Sequence, residues 1–522
     1  MRAKKKKGSF SPFAKGYDEA GASHIRRALR GFLPNSGSPN EDINRNNFTL
    51  RQRSRLLYMS SPVATSAINT NRTKIVGTGL TLKSSINREV LGLSPEEAKN
   101  WQRKTESEFK LWAERKQNCD AIGINSFEEL QQLGLKSWLM SGDVFVLIKR
   151  QEPTKLNPYG IRLHIIEADR VSTPAEFGGG YTPSGFTEGK VPEGKPGAGN
   201  IIYDGVEIDK NGQIKAYYIC NTYPLEFTGK PKEWVRVEAL GEKTGLPNIL
   251  HIMESERPDQ YRGVPYLSQV IEPLLQIRRY TESELMAALV QSFFTAWVET
   301  NTEASEIPFN ETGAGSIAGI PGENPDEENI RDNISDDANE YEMGPGTVIH
   351  LQEGESVKFG NPNIPTAGFE TFIKSICKLV GAGLEIPYDV LIKEFNSSYS
   401  ASRGALLEAW EAFKMRRTWF VRDFCQPVYE LWLSEAVALG RIKAPGFFDD
   451  PLIRAAWSAA RWIGPVQGQL DPRKEADAAI ELISHGIKTH EQVTRELGGG
   501  DWQENMEQLA RENEMLLQNS SE

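Results

Sequence analysis

The amino-acid sequence predicts an α+β protein, in which short strands and long helices occupy separate stretches of the chain. Strand-type segments lie between residues 144 and 253, where apolar runs such as 144–148 alternate with turn signals. Apolar repeats of helical period dominate from residue 265 onward. Runs of strands followed by runs of helices are typical of this fold class.

Composition limits the possible functions of the chain. Its 522 residues are 39% apolar and 25% charged, which is enough for a sizeable core and argues against a disordered chain. The 60 basic and 71 acidic side chains give a net charge of −11, which disfavours a protein that grips DNA tightly. The cysteines (Cys119, Cys220, Cys377 and Cys425) are far apart, so neither a zinc ribbon nor a redox dithiol is predicted.

Targeting signals are not evident in the sequence. Basic residues near the amino terminus precede no apolar run, so we expect no secretory signal. The most apolar stretch, 285–298, is interrupted by polar residues and is shorter than a membrane span needs, which is about 20 residues. We therefore expect a soluble protein made inside a cell.

The amino-terminal part predicts a tail followed by helices. Residues 1–49 are expected to form a basic, flexible arm, because residues 1–30 hold nine basic and two acidic side chains. The arm is either a solubilising end or a contact for nucleic acid or an acidic partner. Ser94 with Glu97 and Ser126 with Glu129 have the spacing of capping boxes, and each predicts a helix start.

Residues 50–264 are predicted to form an α/β body. The run 144–148 indicates a strand buried on both faces, and 161–166 alternates as a half-buried strand does. Asp209-Lys-Asn-Gly212 has the composition of a hairpin turn between two further strands.

Two apolar helices are predicted at 265–300 and 365–386. Leu285, Leu289, Phe293 and Trp297 recur every four residues in the first, and Phe372 and Ile376 do so in the second. These apolar stripes are too wide for isolated surface helices, so we expect neighbouring copies of the chain to cover them.

The stretch between these helices, 301–364, is strongly acidic. Residues 301–345 hold twelve carboxylates and one arginine, a net charge of −11. A carboxylate run is usually a solvated face, and the alternative is a surface that repels DNA or docks a basic partner.

The carboxy-terminal third is predicted to be mainly helical. A Ser-rich loop is expected at 387–402, a long helix at 403–444 and a helical end at 445–522. Thr489 and Gln492 form another capping-box pair within that end.

The sequence lacks the common catalytic motifs. Each Gly-Lys pair is followed by Val or Pro, so no phosphate-cradling Walker loop occurs. No Gly-x-Ser-x-Gly elbow occurs, and His485 and His490 lack the spacing of a zinc protease. We therefore expect no enzyme activity, no cofactor and no metal.

The order of the segments resembles the portal proteins of tailed phages, in particular the lambda-type portal family. The resemblance covers roughly 50–515 and rests on many short motifs in one order. These are Ser61-Pro-Val-Ala, Val76-Gly-Thr-Gly-Leu80, 138–146 (Trp-Leu-Met-Ser-Gly-Asp-Val-Phe-Val), Glu167-Ala-Asp-Arg-Val171, Gly205-Val-Glu-Ile-Asp209, Gly212, Ala216-Tyr217-Tyr218, 251–263, Gly383-Leu-Glu-Ile-Pro-Tyr388, Tyr399-Ser-Ala-Ser-Arg403, Trp462-Ile-Gly-Pro465 and Asp471-Pro472.

The resemblance implies a portal-type fold and assigns a part to each segment. The arm, 1–49, precedes an α/β wing at 50–264. The first stem helix at 265–300 is followed by a mixed clip at 301–364 and by the second stem helix at 365–386. A tunnel loop at 387–402, a long wing helix at 403–444 and a helical crown with the tail at 445–522 complete the chain.

The resemblance also implies site residues. The candidates at the DNA channel are Lys393, Glu394, Asn396, Ser397, Ser398, Tyr399 and Arg403. The candidates for docking partners on the clip are Glu323, Asp326, Glu327, Glu328, Asp332, Asp336 and Asp337. Lys393 and Arg403 are candidates for transient contact with DNA phosphate, and the alternative for each is a surface cation or an intersubunit ion pair.

The resemblance implies a ring, usually of about twelve copies, at one capsid vertex. Such a ring conducts double-stranded DNA during packaging and ejection, and it docks a terminase-type ATPase, a head–tail adaptor, and capsid and scaffold proteins, with no membrane contact. The protein would be made in the host cytoplasm and reside in the virion. Two alternatives stay open. One is a metal-dependent nucleic-acid-processing enzyme, for example a nuclease that draws on the carboxylates of 303–342, and the other is another virion connector or scaffold protein.

Overall fold

The computed structural model describes most of the chain and divides it into two compact units. The body unit comprises Met1–Gln276 and Lys374–Glu522, and the insert unit comprises Ile277–Ile373. The described residues are 27–29, 31–32, 36–178, 188–223, 226, 229, 231–293, 297–300, 355–358, 368–395, 399–468, 471–498 and 500–519.

Helices make up most of the described chain, and their starts follow local capping chemistry. Ser94 accepts a hydrogen bond from the Glu97 amide while the Glu97 carboxylate accepts from the Ser94 amide, and Ser126 with Glu129 repeats the pattern. Both predicted capping boxes are thus confirmed. The helices are α1 (Arg45–Ser60), α2 (Pro62–Ile75), α3 (Arg88–Leu91), α4 (Pro95–Ala113), α5 (Lys116–Cys119), α6 (Phe127–Ser141), α7 (Ile271–Phe293), α8 (Phe369–Gly383), α9 (Tyr388–Ile392), α10 (Tyr399–Phe420), α11 (Gln426–Ala438), α12 (Pro451–Ser458), α13 (Pro472–Ser484), α14 (His490–Gly498) and α15 (Trp502–Asn519).

The strands form small antiparallel sheets. The body unit contains a three-stranded sheet of order β3-β2-β9, a five-stranded sheet of order β4-β5-β6-β7-β8 and the pair β1-β12, and the pair β10-β11 belongs to the insert unit. The strands are β1 (Thr81–Ser84), β2 (Asp143–Arg150), β3 (Ile161–Glu167), β4 (Glu188–Lys190), β5 (Ile201–Tyr203), β6 (Val206–Ile208), β7 (Ile214–Cys220), β8 (Trp234–Glu238), β9 (Ile249–Met253), β10 (Trp297–Thr300), β11 (Glu355–Lys358) and β12 (Ala460–Ile463).

The predicted hairpin turn at 209–212 is confirmed between β6 and β7. The Asp209 carboxylate accepts hydrogen bonds from the amides of Asn211 and Gln213 at 2.8 and 3.0 Å. These backbone hydrogen bonds lower the pKa of Asp209, since they favour its charged form.

The core of the body unit joins distant parts of the chain. Phe109 of α4 has its ring centre 5.1 Å from that of Trp432 in α11 and 6.0 Å from that of Trp462 in β12. β12 also pairs with β1, with Trp462 opposite Leu82. Residues 460–463 therefore belong to the body core, whereas the sequence interpretation began the crown at 445. The strand β12 has no local signal, because its partner lies far away in sequence.

The predicted arm, 1–49, is wrong at its carboxyl end. Helix α1 begins at Arg45, and Asn47 within it is fully buried. The Asn47 side-chain amide donates to the carbonyl oxygen of Gly263 at 2.9 Å, so a distant contact orders this part of the arm. The Asn-rich composition of the segment concealed the helix, because Asn favours turns unless a partner satisfies it.

The predicted loop at 387–402 is shorter in the structure. Pro387 precedes the short helix α9, and α10 already begins at Tyr399. The long helix predicted from 403 to 444 runs from Tyr399 to Ala438, with a π-helical turn at Val421–Cys425. Pro427 lies in the first turn of α11, where its missing N–H is tolerated.

The helix predicted at 265–300 is also shorter than expected. A 3₁₀ turn at Ser268–Val270 precedes α7, and α7 ends at Phe293. Trp297, predicted to continue the apolar stripe, lies instead in β10 opposite Lys358 of β11. The second predicted helix, 365–386, is observed as Phe369–Gly383. Within the insert unit, the Tyr280 ring centre lies 4.9 Å from that of Phe372.

Candidate functional site

A buried charge cluster lies where α1, the start of β2 and the segment before α7 meet. The guanidinium of Arg262 lies 2.7 Å from Asp143 and 2.8 Å from Asp204, and Arg262 and Asp143 have no exposed side-chain surface. Arg51 of α1 approaches Asp143 at 3.6 Å and Asp204 at 3.4 Å. We call Arg51, Asp143, Asp204 and Arg262 the junction cluster.

Protonation in the junction cluster is fixed by mutual charge. Burial alone would raise the pKa of Asp143, but the guanidinium groups of Arg262 and Arg51 outweigh burial and hold that pKa well below its usual range. Burial has the opposite effect on His251, because it disfavours the charged imidazolium and so lowers the pKa of the ring. The centre of this ring lies 4.2 Å from that of Phe145, and the two rings stack. The His251 imidazole, 3.3 Å from Asp143, is therefore neutral near pH 7.

Backbone groups complete this junction. The amide of Gly263 donates to Asp143 at 3.1 Å, and Arg262 also donates to the carbonyl oxygens of Val171 and Ala168 at 2.9 and 2.8 Å. Gly142 has φ of +88°, and a Cβ placed on it would lie 2.5 Å from the carbonyl oxygen of Gly263. The two glycines thus allow the close backbone approach that the cluster requires.

The sequence interpretation quoted Asp143 and Arg262 only as parts of separate motifs and did not quote Asp204. It did not predict that the members of the junction cluster would come together. The available signal was the acidic residue directly before the apolar run of β2, since a buried carboxylate requires a cationic partner.

A second group of contacts joins the roots of the two long helices inside the body unit. The Tyr266 hydroxyl, before α7, donates to the carbonyl oxygen of Leu384, directly after α8. Arg416 of α10 lies 4.9 Å from the Tyr266 ring centre and 2.5 Å from the Glu385 carboxylate. Burial raises the pKa of Tyr266 to about 12, so the hydroxyl keeps its proton. We call Tyr266, Leu384, Glu385 and Arg416 the root clamp.

The predicted channel residues lie on both sides of a short connection between α9 and α10. Lys393 is exposed and has φ of +63° where α9 ends. Glu394 accepts a hydrogen bond from the Tyr388 hydroxyl at 2.8 Å, and its carboxylate lies 3.8 Å from Lys374 of α8. Asn396, Ser397 and Ser398 lie outside the described residues.

Tyr399 and Arg403 belong to α10, beyond this connection. Tyr399 is the first residue of the helix. Arg403 lies 4.0 Å from Glu475 of α13, at the outer limit of an ion pair. This contact lies within one chain, so the alternatives for Arg403 and Lys393, a phosphate contact, a surface cation or an intersubunit ion pair, stay predictions.

Three of the predicted stem-packing residues are exposed on a single chain. The exposed fractions are 65% for Leu285, 53% for Leu289 and 48% for Phe372. Ile376 is half-buried, Phe293 ends α7, and Trp297 lies in β10 as described above. The stripe of α7 is extended by Met286, which is 61% exposed.

The predicted clip-docking carboxylates cannot be placed in this arrangement. Glu323, Asp326, Glu327, Glu328, Asp332, Asp336 and Asp337 all lie outside the described residues. In the part of the chain that the structure describes, no group of three His, Cys, Asp or Glu side chains could hold a metal ion. None of the described helices is both long and apolar enough to cross a membrane.

The described residues thus combine small antiparallel sheets, long helices and a buried charge cluster. The family model of the phage portal proteins, lambda family, matches residues 26–417. Because this match spans most of the chain, the protein belongs to the lambda family of phage portal proteins.

Portal proteins of two phages and one solved structure are similar to this chain. The chain is 24% identical to portal protein B of Escherichia phage lambda over 503 residues, covering 94% of this chain and 88% of that protein. It is also 24% identical to the portal protein of Escherichia phage N15, covering 93% of this chain and 87% of that protein. A solved structure of the neck of a native GTA particle, computed with C12 symmetry, aligns with a TM-score of 0.42, at 13% identity, over 88% of this chain and 94% of that chain.

The comparisons confirm the resemblance inferred from sequence motifs, and with it the portal function. They also confirm the mixed helix-and-sheet class. The family is structural rather than enzymatic, and its members are virion components.

Proposed function

We propose that copies of this chain form a ring at a single capsid vertex, through which double-stranded DNA enters and leaves the particle. The supporting observation is the exposed apolar stripe of α7, formed by Leu285, Met286 and Leu289. Apolar side chains this exposed and this close together are typical of a surface that another protein covers. A second copy of the chain, packed head to tail, covers such a stripe and propagates around a closed ring.

The segments take the parts that the family resemblance implies. Residues 50–264 with the long helix α10–α11 form the wing, α7 and α8 form the stem, and 301–364 forms the clip. The junction cluster and the root clamp hold the wing residues from which both stem helices start. We place the crown after β12, since 460–463 pairs with the wing.

The connection between α9 and α10 is the proposed tunnel loop. Lys393 is its exposed cation, whereas Lys374 and Arg403 lie near carboxylates that offset their charge. A DNA conduit benefits from such pairing, because each unopposed contact between a cation and phosphate adds affinity and slows sliding. The loop therefore touches the backbone lightly rather than holding it.

The proposed partners act on different parts of the ring. A terminase-type ATPase and a head–tail adaptor dock on the acidic clip through basic faces, and capsid and scaffold proteins contact the wing and crown. The chain itself supplies no catalysis, cofactor or metal, and it is made in the host cytoplasm before assembly into the virion.

Ring assembly is tested by a double substitution on the α7 stripe. Leu285→Glu with Leu289→Glu should abolish rings in negative-stain microscopy, because buried carboxylates cannot be covered by an apolar neighbour. Leu156→Glu is the matched control, since Leu156 is 75% exposed in the connection between β2 and β3. An unchanged chain that remains monomeric in all assembly conditions would refute the proposal.

The loop and the lack of catalysis need separate assays. Deleting 395–398 should leave rings intact while DNA packaging or retention falls, and loss of rings would instead indicate a packing role for the loop. Pure protein incubated with DNA and Mg²⁺ or Mn²⁺ should leave the DNA intact, whereas cleavage that a chelator stops would favour a nuclease.

A further inference from the structure

The last helix, α15, carries an apolar face that its own chain leaves exposed. Every residue from Gln508 to Leu517 is exposed. Met506, Leu509 and Leu516, with exposed fractions of 47, 48 and 65%, follow one another at spacings of three and seven and so share one face. Such a face on a projecting helix is typical of helix-in-groove recognition.

The first turns of α15 are fixed to the body by ion pairs. Glu504 lies 2.6 Å from Lys83 of β1, and Glu507 lies 2.6 Å from Arg103 of α4. These contacts hold the start of the helix beside β1 and α4. The following residues, about 18 Å of helix at 1.5 Å per residue, project from that anchor.

A cleft with apolar and basic side chains in its lining lies beside α14. It has a volume of about 520 Å³ and is bounded by α10, the segment after β12, α13 and α14. Its apolar lining includes Leu406, Leu407 and Trp410 of α10 with Val493 and Leu497 of α14. Leu407 is 46% exposed, so the apolar floor is open to a ligand.

The charges of helix and cleft are opposite. Five basic side chains and two carboxylates line the cleft, a net charge of +3. Helix α15 carries four glutamates and one arginine, but Glu504 and Glu507 pair with cations of their own chain. The projecting part, 508–519, holds Glu512, Glu514 and Arg511, a net charge of −1. Two copies of α15 packed against each other would instead bring like charges together.

We propose that the projecting half of α15 docks in the cleft between α10 and α14 of a second copy of the chain. This inference rests on the proposed ring. Ligand and receptor surfaces lie on the same chain, so the contact is head to tail and repeats around a ring, whereas a twofold α15–α15 contact closes after two copies. Among the described residues, those that line this cleft include none from α15 of the same chain.

A disulfide cross-link tests the contact directly. Leu407→Cys combined with Leu509→Cys, or with Leu516→Cys, should give a ladder of covalent multimers after mild oxidation of assembled rings. The native cysteines, Cys119, Cys220, Cys377 and Cys425, are buried and give little background. Each single-cysteine variant should stay monomeric on a denaturing gel.

Other outcomes would overturn the inference in distinguishable ways. A covalent dimer from Leu509→Cys alone would indicate an α15–α15 contact, and a fast-migrating monomer from the double variants would place α15 in its own cleft. Rings that form without any cross-linked multimers would refute the docking of α15 but not the proposed ring. No rings from the unchanged chain would refute the proposed function and this inference together.

Substitution of the apolar face provides an independent readout. Leu509→Glu with Leu516→Glu should raise the protein concentration needed for half-maximal assembly by roughly tenfold or more, since two side chains can no longer be buried. Met515→Glu is the matched control, because Met515 is 62% exposed and lies about 100–120° around the helix from Leu509 and Leu516. Equal effects from both substitutions would contradict the proposed face.

Discussion

Arg262 donates from Nε to Oδ2 of Asp143 across 2.7 Å, and neither side chain has any exposed surface. The pair joins the start of β2 to the segment from which α7 departs. A buried ion pair is costly to form but more costly to break, because removal of one partner leaves the other charge buried and unpaired.

Replacement of one member of this pair should therefore destabilise the body strongly. Arg262→Met is expected to lower the free energy of unfolding by about 3–5 kcal/mol. The control is Glu114→Gln, which breaks an exposed pair with Lys110 at 3.3 Å and should change it by less than about 0.5 kcal/mol. Urea unfolding followed by tryptophan fluorescence measures both, and similar losses for both variants would contradict a special role for the junction cluster.

The stability of the body should fall as the pH drops below about 6.5, the ordinary value for histidine. Burial lowers the pKa of His251 in the folded state, so the unfolded chain binds a proton that the folded chain does not. The slope from one such proton is at most about 1.4 kcal/mol per pH unit.

His251→Gln should flatten this pH dependence between about pH 7 and pH 5, as measured by thermal unfolding across buffers. His485→Gln, at the exposed end of α13, is the control and should leave the profile unchanged. Asp143 affects the free energy of unfolding at lower pH. Because its pKa is depressed in the folded state, its stabilising contribution is present above the ordinary aspartate pKa and is lost as the pH falls below about 4. If His251→Gln and the unchanged chain had the same pH profile of stability, His251 would not be the source of this pH dependence.

Gly263 should tolerate no side chain. A Cβ on Gly263 would overlap the carbonyl oxygen of Gly142, and both backbones are fixed by the junction cluster. Gly263→Ala is expected to cost more than about 3 kcal/mol of stability or to prevent soluble expression. Gly404→Ala in α10 meets nothing within 4 Å and should stabilise the helix by up to about 1 kcal/mol. Soluble yield and thermal unfolding distinguish these outcomes.

Truncation should locate the boundary of the body. A chain that ends at residue 468 keeps β12 and Trp462, and we expect it to fold. A chain that ends at residue 444 loses the partner of β1 and an aromatic ring of the core, and we expect it to aggregate. Circular dichroism and size-exclusion chromatography test this pair, and equal solubility would place the boundary at 445 after all.

Local chemistry explains which elements the sequence could predict. The capping pairs Ser94–Glu97 and Ser126–Glu129 and the turn at Asp209 depend on residues within three or four positions of each other. All the contacts that form these caps and this turn lie within one short segment, so the sequence alone predicted them correctly.

Elements that depend on distant partners were missed or misplaced. Trp297 continued a helical repeat, but pairing of β10 with β11 determines its conformation. Asn47 is ordered by Gly263, and β12 exists because β1 lies beside it. The junction cluster likewise combines residues from four separate segments, and no periodicity brings Asp143, Asp204 and Arg262 to one point.

Two of the short motifs that carried the family resemblance contain members of the junction cluster. Gly142-Asp143 and Arg262-Gly263 each combine a charged member of the cluster with a glycine that allows close backbone approach. A short motif of this kind is identifiable without knowledge of the contact that it makes.

The root clamp has a consequence for how this chain can vary. Tyr266 and Leu384 are neighbours in space, so the stretch of chain between them begins and ends at one place in the body unit. A change in the length of this stretch alters the entropy of loop closure only slightly, because that cost grows slowly with length. Related chains can therefore carry insertions or deletions between Tyr266 and Leu384 while the body unit keeps the same fold.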